Sequence, residues 1–190
     1  MRRAFIIVSC AVMCLSLGLA FSYGGEDSKP KPVSLPSVDT WKDPTSGLTW
    51  QVSPTGGKMR WQQAQANCQG LSLGGYNDWR LPTITELRSL IRGCPATQKD
   101  GACRVGGKCM SINECWSKDT CEACSAQGGP GPGGAYWPPE LSGEPGWYWS
   151  SSALADLGGH AWGVNFNSGA VKYGYVKPHE GFGSSARCVR

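Results

Sequence analysis

The sequence predicts an α+β domain on three observations: two early stretches with helical periodicity, alternating strands towards the end, and cysteines spread across both halves. The chain opens with Met1-Arg2-Arg3 and runs apolar or small from Ala4 to Ser22, ending in Ala20-Phe21-Ser22. That is the pattern of a signal peptide over residues 1–22, and it marks an exported protein, periplasmic, secreted or held at the cell surface. An uncleaved membrane anchor is the competing reading, and a lipid anchor on Cys10 or Cys14 is a further one. Residues 23–40 contain Gly-Gly, Lys-Pro-Lys-Pro and Leu-Pro with few large apolar side chains, which reads as a flexible linker.

The folded part, residues 41–190, begins at Trp41. Asp43-Pro44-Thr45-Ser46-Gly47 gives a turn and Leu48 to Val52 alternates like a strand. Trp61, Ala64, Gln65 and Cys68 recur at i, i+3, i+4 and i+7, so a first helix carries Cys68 on its buried face and stops at Gly70. A second helix is marked by the capping-box spacing Thr83-Ile-Thr-Glu86 after Pro82, and its apolar stripe of Ile84, Leu87, Leu90 and Ile91 closes at Gly93. Residues 94–134 change character: they hold six cysteines and a Gly/Pro-rich run without sustained periodicity, and read as an insertion held by bridges rather than by a core. Strands resume at Trp147 to Ser151. Trp162, Val164 and Phe166, an Asn167-Ser-Gly169 turn, and Val171, Tyr173 and Tyr175 predict an antiparallel hairpin, with Ala186 to Val189 as a last strand.

Removing 22 of 190 residues leaves 168, which suits one domain. Loss of Arg2 and Arg3 leaves 16 basic against 14 acidic residues, a net charge of +2, which gives no argument for nucleic acid. Ten cysteines less Cys10 and Cys14 leave Cys68, Cys94, Cys103, Cys109, Cys115, Cys121, Cys124 and Cys188, an even set that reads as a disulfide framework in an exported chain. Cys68 and Cys188 stand apart from the other six and are expected to pair.

Familiar catalytic arrangements are poorly supplied. His160 and His179 lie in Gly-rich or Pro-containing stretches and assemble no Ser-His-Asp or metal-binding spacing, so neither catalytic residue, metal nor cofactor is expected. Arg80 beside Asp78 reads as a structural ion pair with Asp78 or Glu86. Cys121-Glu-Ala-Cys124 has the spacing of a redox pair, and Cys109, Cys115, Cys121 and Cys124 could bind zinc, but three structural bridges are expected. Trp41, Trp50, Trp61, Trp79, Trp149 and Trp162 are expected in the core. Trp116, Tyr136, Trp137, Trp147 and Tyr148 border the insertion and are expected either to be exposed, where flat aromatics suit sugars or peptides, or to cover the insertion's own bridges.

Four stretches together resemble one family: Trp41-Lys-Asp-Pro-Thr-Ser-Gly-Leu-Thr-Trp50, Trp61 to Cys68, Tyr76-Asn-Asp-Trp-Arg-Leu-Pro-Thr83, and Tyr148-Trp-Ser-Ser151 through Trp162-Gly-Val-Asn-Phe166 to Arg187-Cys-Val-Arg190. They are similar to the C-terminal domain of bacterial collagen-like adhesins, the Lcl C-terminal family, which in turn resembles C-type lectin-like domains and sulfatase-modifying enzymes. The resemblance implies a C-type lectin-like arrangement, a Cys68–Cys188 bridge from the first helix to the closing strand, and chain ends lying side by side. It departs from calcium-dependent lectins, since Glu144-Pro145 is followed by Gly146 and no Trp-Asn-Asp occurs, and no Gly-x-y array precedes the domain, so assembly is not implied.

The same family is associated with sulfated polysaccharides. Residues 76–110 carry six cations, Arg80, Arg88, Arg92, Lys99, Arg104 and Lys108, against Asp78, Glu86 and Asp100, a local +3, whereas residues 111–149 sum to −4. The expected function is therefore an exported module binding a polysaccharide or a surface protein. Its expected contacts are Arg88, Arg92, Lys99, Arg104 and Lys108 for an anionic ligand, with Arg88, Arg92 and Lys108 foremost, and Trp137, Trp147 and Tyr148 for a neutral one; a merely solvated helix face is the alternative for the cations. The alternative is an enzyme, either a redox protein using Cys121 and Cys124 or a relative of the sulfatase-modifying enzymes.

Overall fold

A computed structural model describes residues 39–54, 56–176 and 183–190. The expected signal peptide, the linker up to Ser37-Val38 and His179 lie outside the described residues, so the export and linker readings rest on sequence. Among the described residues no helix is long and apolar enough to cross a membrane.

The chain first folds back on itself. Strands β1 (Thr40–Lys42) and β2 (Thr49–Gln51) pair antiparallel with Trp41 opposite Trp50. The Asp43 carboxylate makes the turn between them, accepting from the Thr45 amide at 3.0 Å and the Ser46 hydroxyl at 2.7 Å. The far edge of β2 meets the end of the chain, because Thr49 and Arg190 exchange both backbone hydrogen bonds at 3.0 Å and the Gln51 amide donates to Cys188. The ends of the domain are thus side by side. The Ala186 to Val189 segment is a seam rather than a full strand: Val189 bridges Trp50 on one side and Arg80 on the other.

Helix α1 (Trp61–Gln69) buries Ala64 and Cys68, and Cys68 bonds to Cys188, with 5.4 Å between the Cα atoms. Helix α2 (Ile84–Arg88) opens with the expected reciprocal box, the Thr83 side chain accepting from the Glu86 amide while the Glu86 carboxylate accepts from the Thr83 amide. Regular helix ends earlier than the apolar stripe does. Leu90 and Ile91 continue in tighter turns onto the Leu87 and Arg88 carbonyls, so the whole stripe stays buried before Gly93 turns the chain at φ +84°.

A second sheet has the order β3 (Trp147–Ala153), β4 (His160–Asn165), β5 (Ala170–Tyr175), antiparallel throughout, with the hairpin register set by Asn165 opposite Ala170. One face sends Tyr148, Trp162, Val164 and Val171 into the main core with Trp50, Phe166 and the α2 stripe. Full burial of one such side chain is worth about 1.5–3 kcal/mol. The other face gives Trp149 and Ala161 to a smaller cluster with Ala64, Trp79, Leu81 and the Cys68–Cys188 bridge.

Residues 94–134 depart from expectation in two ways. They contain two short helices, α3 (Ile112–Cys115) and α4 (Lys118–Cys121), each started by a serine whose hydroxyl accepts a third-residue amide, Ser111 and Ser117. They also share the main core, to which Cys94, Cys103, Val105, Cys115 and Cys121 belong. Their three bridges are nested, Cys94–Cys124 around Cys103–Cys121 around Cys109–Cys115, so the segment closes like a zipper from its inner turn outwards.

Candidate functional site

The basic surface is shaped by a residue whose side chain is almost wholly covered. Arg88 stands on α2 but is only 2% exposed, because the loop after Cys94 folds back over it. Its guanidinium donates to the carbonyls of Thr97 at 2.9 Å, Gln98 at 2.5 Å, Cys103 at 2.7 Å and Val105. A planar fork with five donors can gather four carbonyls from one loop, which an ammonium cannot do in the same geometry. Burial pulls its pKa down to about 10, so it is still cationic at neutral pH. Arg88, expected as a direct ligand contact, lines the clefts beside the loop with its guanidinium engaged by four carbonyls.

Two clefts of about 440 and 500 Å³ open on either side of that loop and share Arg88, Lys99, Asp100 and Gly101. The first adds Arg92 and the Thr45 and Ser46 side chains, the second Arg104 and Lys108. Arg92 is 30% exposed, 3.6 Å from the buried Asp43 carboxylate, and donates to the Ser89 and Ile91 carbonyls. Arg104 donates to the Glu114 carbonyl, and Lys99 and Lys108 are exposed. Four rim cations, of which Arg92 is already paired with Asp43, stand against Asp100 and leave a net positive surface suited to an anion. Thr45 and Ser46 escaped the sequence reading because they are distant in the chain and reach the cleft only through the β1–β2 turn.

The aromatic candidates separate. Trp137, 0% exposed, packs against Tyr148 at 5.7 Å and Phe166 at 5.3 Å, with the Arg187 guanidinium over its ring. Tyr148 is equally buried, and its hydroxyl donates to the Glu144 carbonyl at 2.9 Å. Tyr136 is also buried, and Trp116 half-buried with its indole N–H donating to Val171. The expected exposure of these four is corrected, since the insertion lies on the core and they are its packing. Trp147 alone of the expected exposed aromatics lines a cleft, of about 290 Å³, on the outer face of β3–β5.

Other candidates resolve plainly. Arg80 pairs with Glu86 through two hydrogen bonds of 2.6 and 2.7 Å, while Asp78 pairs with Arg190. Burial works against the charge of Glu86, but the Arg80 and Thr83 hydrogen bonds outweigh it and hold the carboxyl below its ordinary range. Cys121 and Cys124 are bonded to different partners, so they do not form a Cys-x-x-Cys dithiol, and the four cysteines proposed for zinc are all bridged. His160 is not a solvated loop residue: it starts β4, 7% exposed, with its ring 4.2 Å from that of Tyr175.

A comparison with curated proteins finds none that matches. The Lcl C-terminal domain family matches residues 39–190, the span of the fold just described. The chain therefore belongs to the Lcl C-terminal domain family.

Proposed function

We propose that this domain is the binding module of an exported protein and that it holds an anionic, sulfated polysaccharide across the two clefts beside the 97–105 loop. The observation that carries the reading is the ring of Arg92, Lys99, Arg104 and Lys108 around a loop immobilised by Arg88 and by the Cys103–Cys121 bridge. Cations spread over two adjoining open clefts suit a polymer with repeated charges better than a single small anion. Fixing the loop beforehand lowers the ordering cost of binding. Four bridges accord with an extracellular setting. A C-type lectin-like arrangement is part of the same proposal, supported by the side-by-side ends and by the Cys68–Cys188 tie.

The test is competition. Dextran sulfate should bind the protein, and unsulfated dextran should fail to displace it. Displacement by an equal mass of dextran would assign the contact to sugar rings and remove the charged clefts from the account.

A further inference from the structure

The outer face of the β3–β4–β5 sheet is closed at one end and open at the other. Trp149, 4% exposed, closes one end, its indole N–H donating to the Met59 carbonyl at 2.9 Å. Trp147, two residues earlier on the same face, is partly exposed and walls the cleft of about 290 Å³. The floor has no side chains, and packing forbids any. A Cβ at Gly163 would stand 2.7 Å from the Tyr148 carbonyl oxygen, and one at Gly174 would stand 2.9 Å from the Trp149 ring. Tyr173 and Tyr175 border the cleft through their backbone, because their rings face the other side of the sheet, where each meets His160.

A bare floor alone is no site. The second observation lies at the edge strand, where Lys172, which lines the cleft on the same face opposite Gly163, forms an ion pair at 3.2 Å with Glu122, which stands beyond the lining. Ammonium and carboxylate offer a donor and an acceptor side by side with no net charge. An indole face, a glycine floor and a neutralised donor–acceptor pair match a neutral ring that carries hydroxyls on its rim and C–H bonds on its face. A bare anion would have to displace Glu122, and an aliphatic side chain would leave the pair unused. The indole face is electron-rich and attracts polarised C–H groups, while vicinal hydroxyls can bridge an ammonium and a carboxylate.

We infer that this cleft is a saccharide subsite in which Trp147 stacks on one uncharged pyranose ring and the Lys172–Glu122 pair hydrogen-bonds its hydroxyls. It is separate from the charged clefts and does not depend on them. With one ring held, affinity lies in the range of about 1 mM. Beyond the ion pair, Ser184 is the polar side chain among the described lining residues, so pyranoses with an exposed flat face should be accepted broadly.

The test follows the indole N–H resonances of the protein during titration with cellotetraose, chitotetraose and mannotetraose. At least one should shift the Trp147 signal saturably, with an affinity unchanged between ionic strengths of about 0.05 and 0.5 M. In the variants binding is read from the backbone amide signals of Gly163 and Gly174 on the cleft floor: Trp147→Ala should abolish saturable binding, Trp147→Phe should keep part of it, and Lys172→Ala should weaken it roughly three- to tenfold. Dextran sulfate binding should be the same in Trp147→Ala as in the parent, which separates failure here from failure of the charged clefts. The assignment is overturned if none of the three sugars saturates the Trp147 shift, if a folded Trp147→Ala protein binds as the parent does, or if a phenylalanine-containing peptide displaces the sugar at lower concentration than the sugar itself binds.

Discussion

The guanidinium of Arg187 lies over the indole of Trp137, 4.7 Å from the ring centroid. Around its edge it donates to the Gln51 carbonyl at 2.7 Å, the Ser142 carbonyl at 2.7 Å and the Val52 carbonyl, so one fully buried cation ties β2, the segment before β3 and the aromatic core. Burial pulls its pKa down to about 10, which leaves it charged in neutral solution. Replacing Arg187 by Lys keeps the charge but loses the planar fork and the stacking. The expected cost is about 2–4 kcal/mol, because buried carbonyls are left without donors. Urea denaturation with the disulfides intact measures it, and a Lys variant as stable as the parent would remove Arg187 as the organiser of this core.

Arg88 acts on binding through the loop it gathers. Arg88→Lys preserves charge, so if charge were the contribution, affinity for a polyanion would stay within about twofold. The account expects instead that amide protection of residues 98–105 falls and that affinity drops with it by about tenfold, as a mobile loop must be ordered on binding. Hydrogen exchange of the variant, read alongside its affinity, distinguishes the two.

Asp156, in the turn between β3 and β4, caps α3 from outside. Its carboxylate accepts from the Ile112 amide at 3.0 Å, the Asn113 amide at 3.2 Å and the Ser111 hydroxyl at 2.8 Å. These bonds, the Ile112 amide first, hold its pKa at about 2 against an ordinary 3.8. For a carboxyl depressed on folding, the stabilisation is fully present above the ordinary value and disappears as the pH falls through the folded one. The Ile112 and Asn113 amide signals should therefore hold their positions down to pH 3.8 and move only towards about pH 2. In Asp156→Ala they should lose protection at neutral pH as well. Movement centred on 3.8 would show that the cap does not form.

Local signals were legible in the sequence wherever the cause was local. The Thr83–Glu86 box, the Asn165 to Ala170 hairpin and the α1 stripe ending in Cys68 each follow from a few neighbouring residues. The isolation of Cys68 and Cys188 was enough to pair them, whereas six crowded cysteines permit 15 pairings and spacing does not choose the nested one. Trp137 and Tyr148 looked exposed because Gly and Pro surround them, yet Phe166 and Arg187, far along the chain, supply their burial. Arg88 looked like an accessible ligand contact because helical periodicity says nothing of a later loop that folds over it. Of the surface proposed for an anion, the rim residues Arg92, Lys99, Arg104 and Lys108 can be named from the sequence, whereas the carbonyls gathered by the buried Arg88 cannot.

The most direct measurement is the affinity of dextran sulfate for the parent protein and for Lys99→Glu/Lys108→Glu, each at ionic strengths of about 0.05 and 0.5 M. Exposed charges are screened within about 8 Å at physiological salt. The account predicts that the parent loses more than about tenfold in affinity at the higher salt, and that the double reversal binds weakly at both, with a much flatter salt dependence. Equal affinities and equal salt dependence for the two proteins, with both folded, would contradict the assignment of the clefts around Lys99 and Lys108 as the polysaccharide surface.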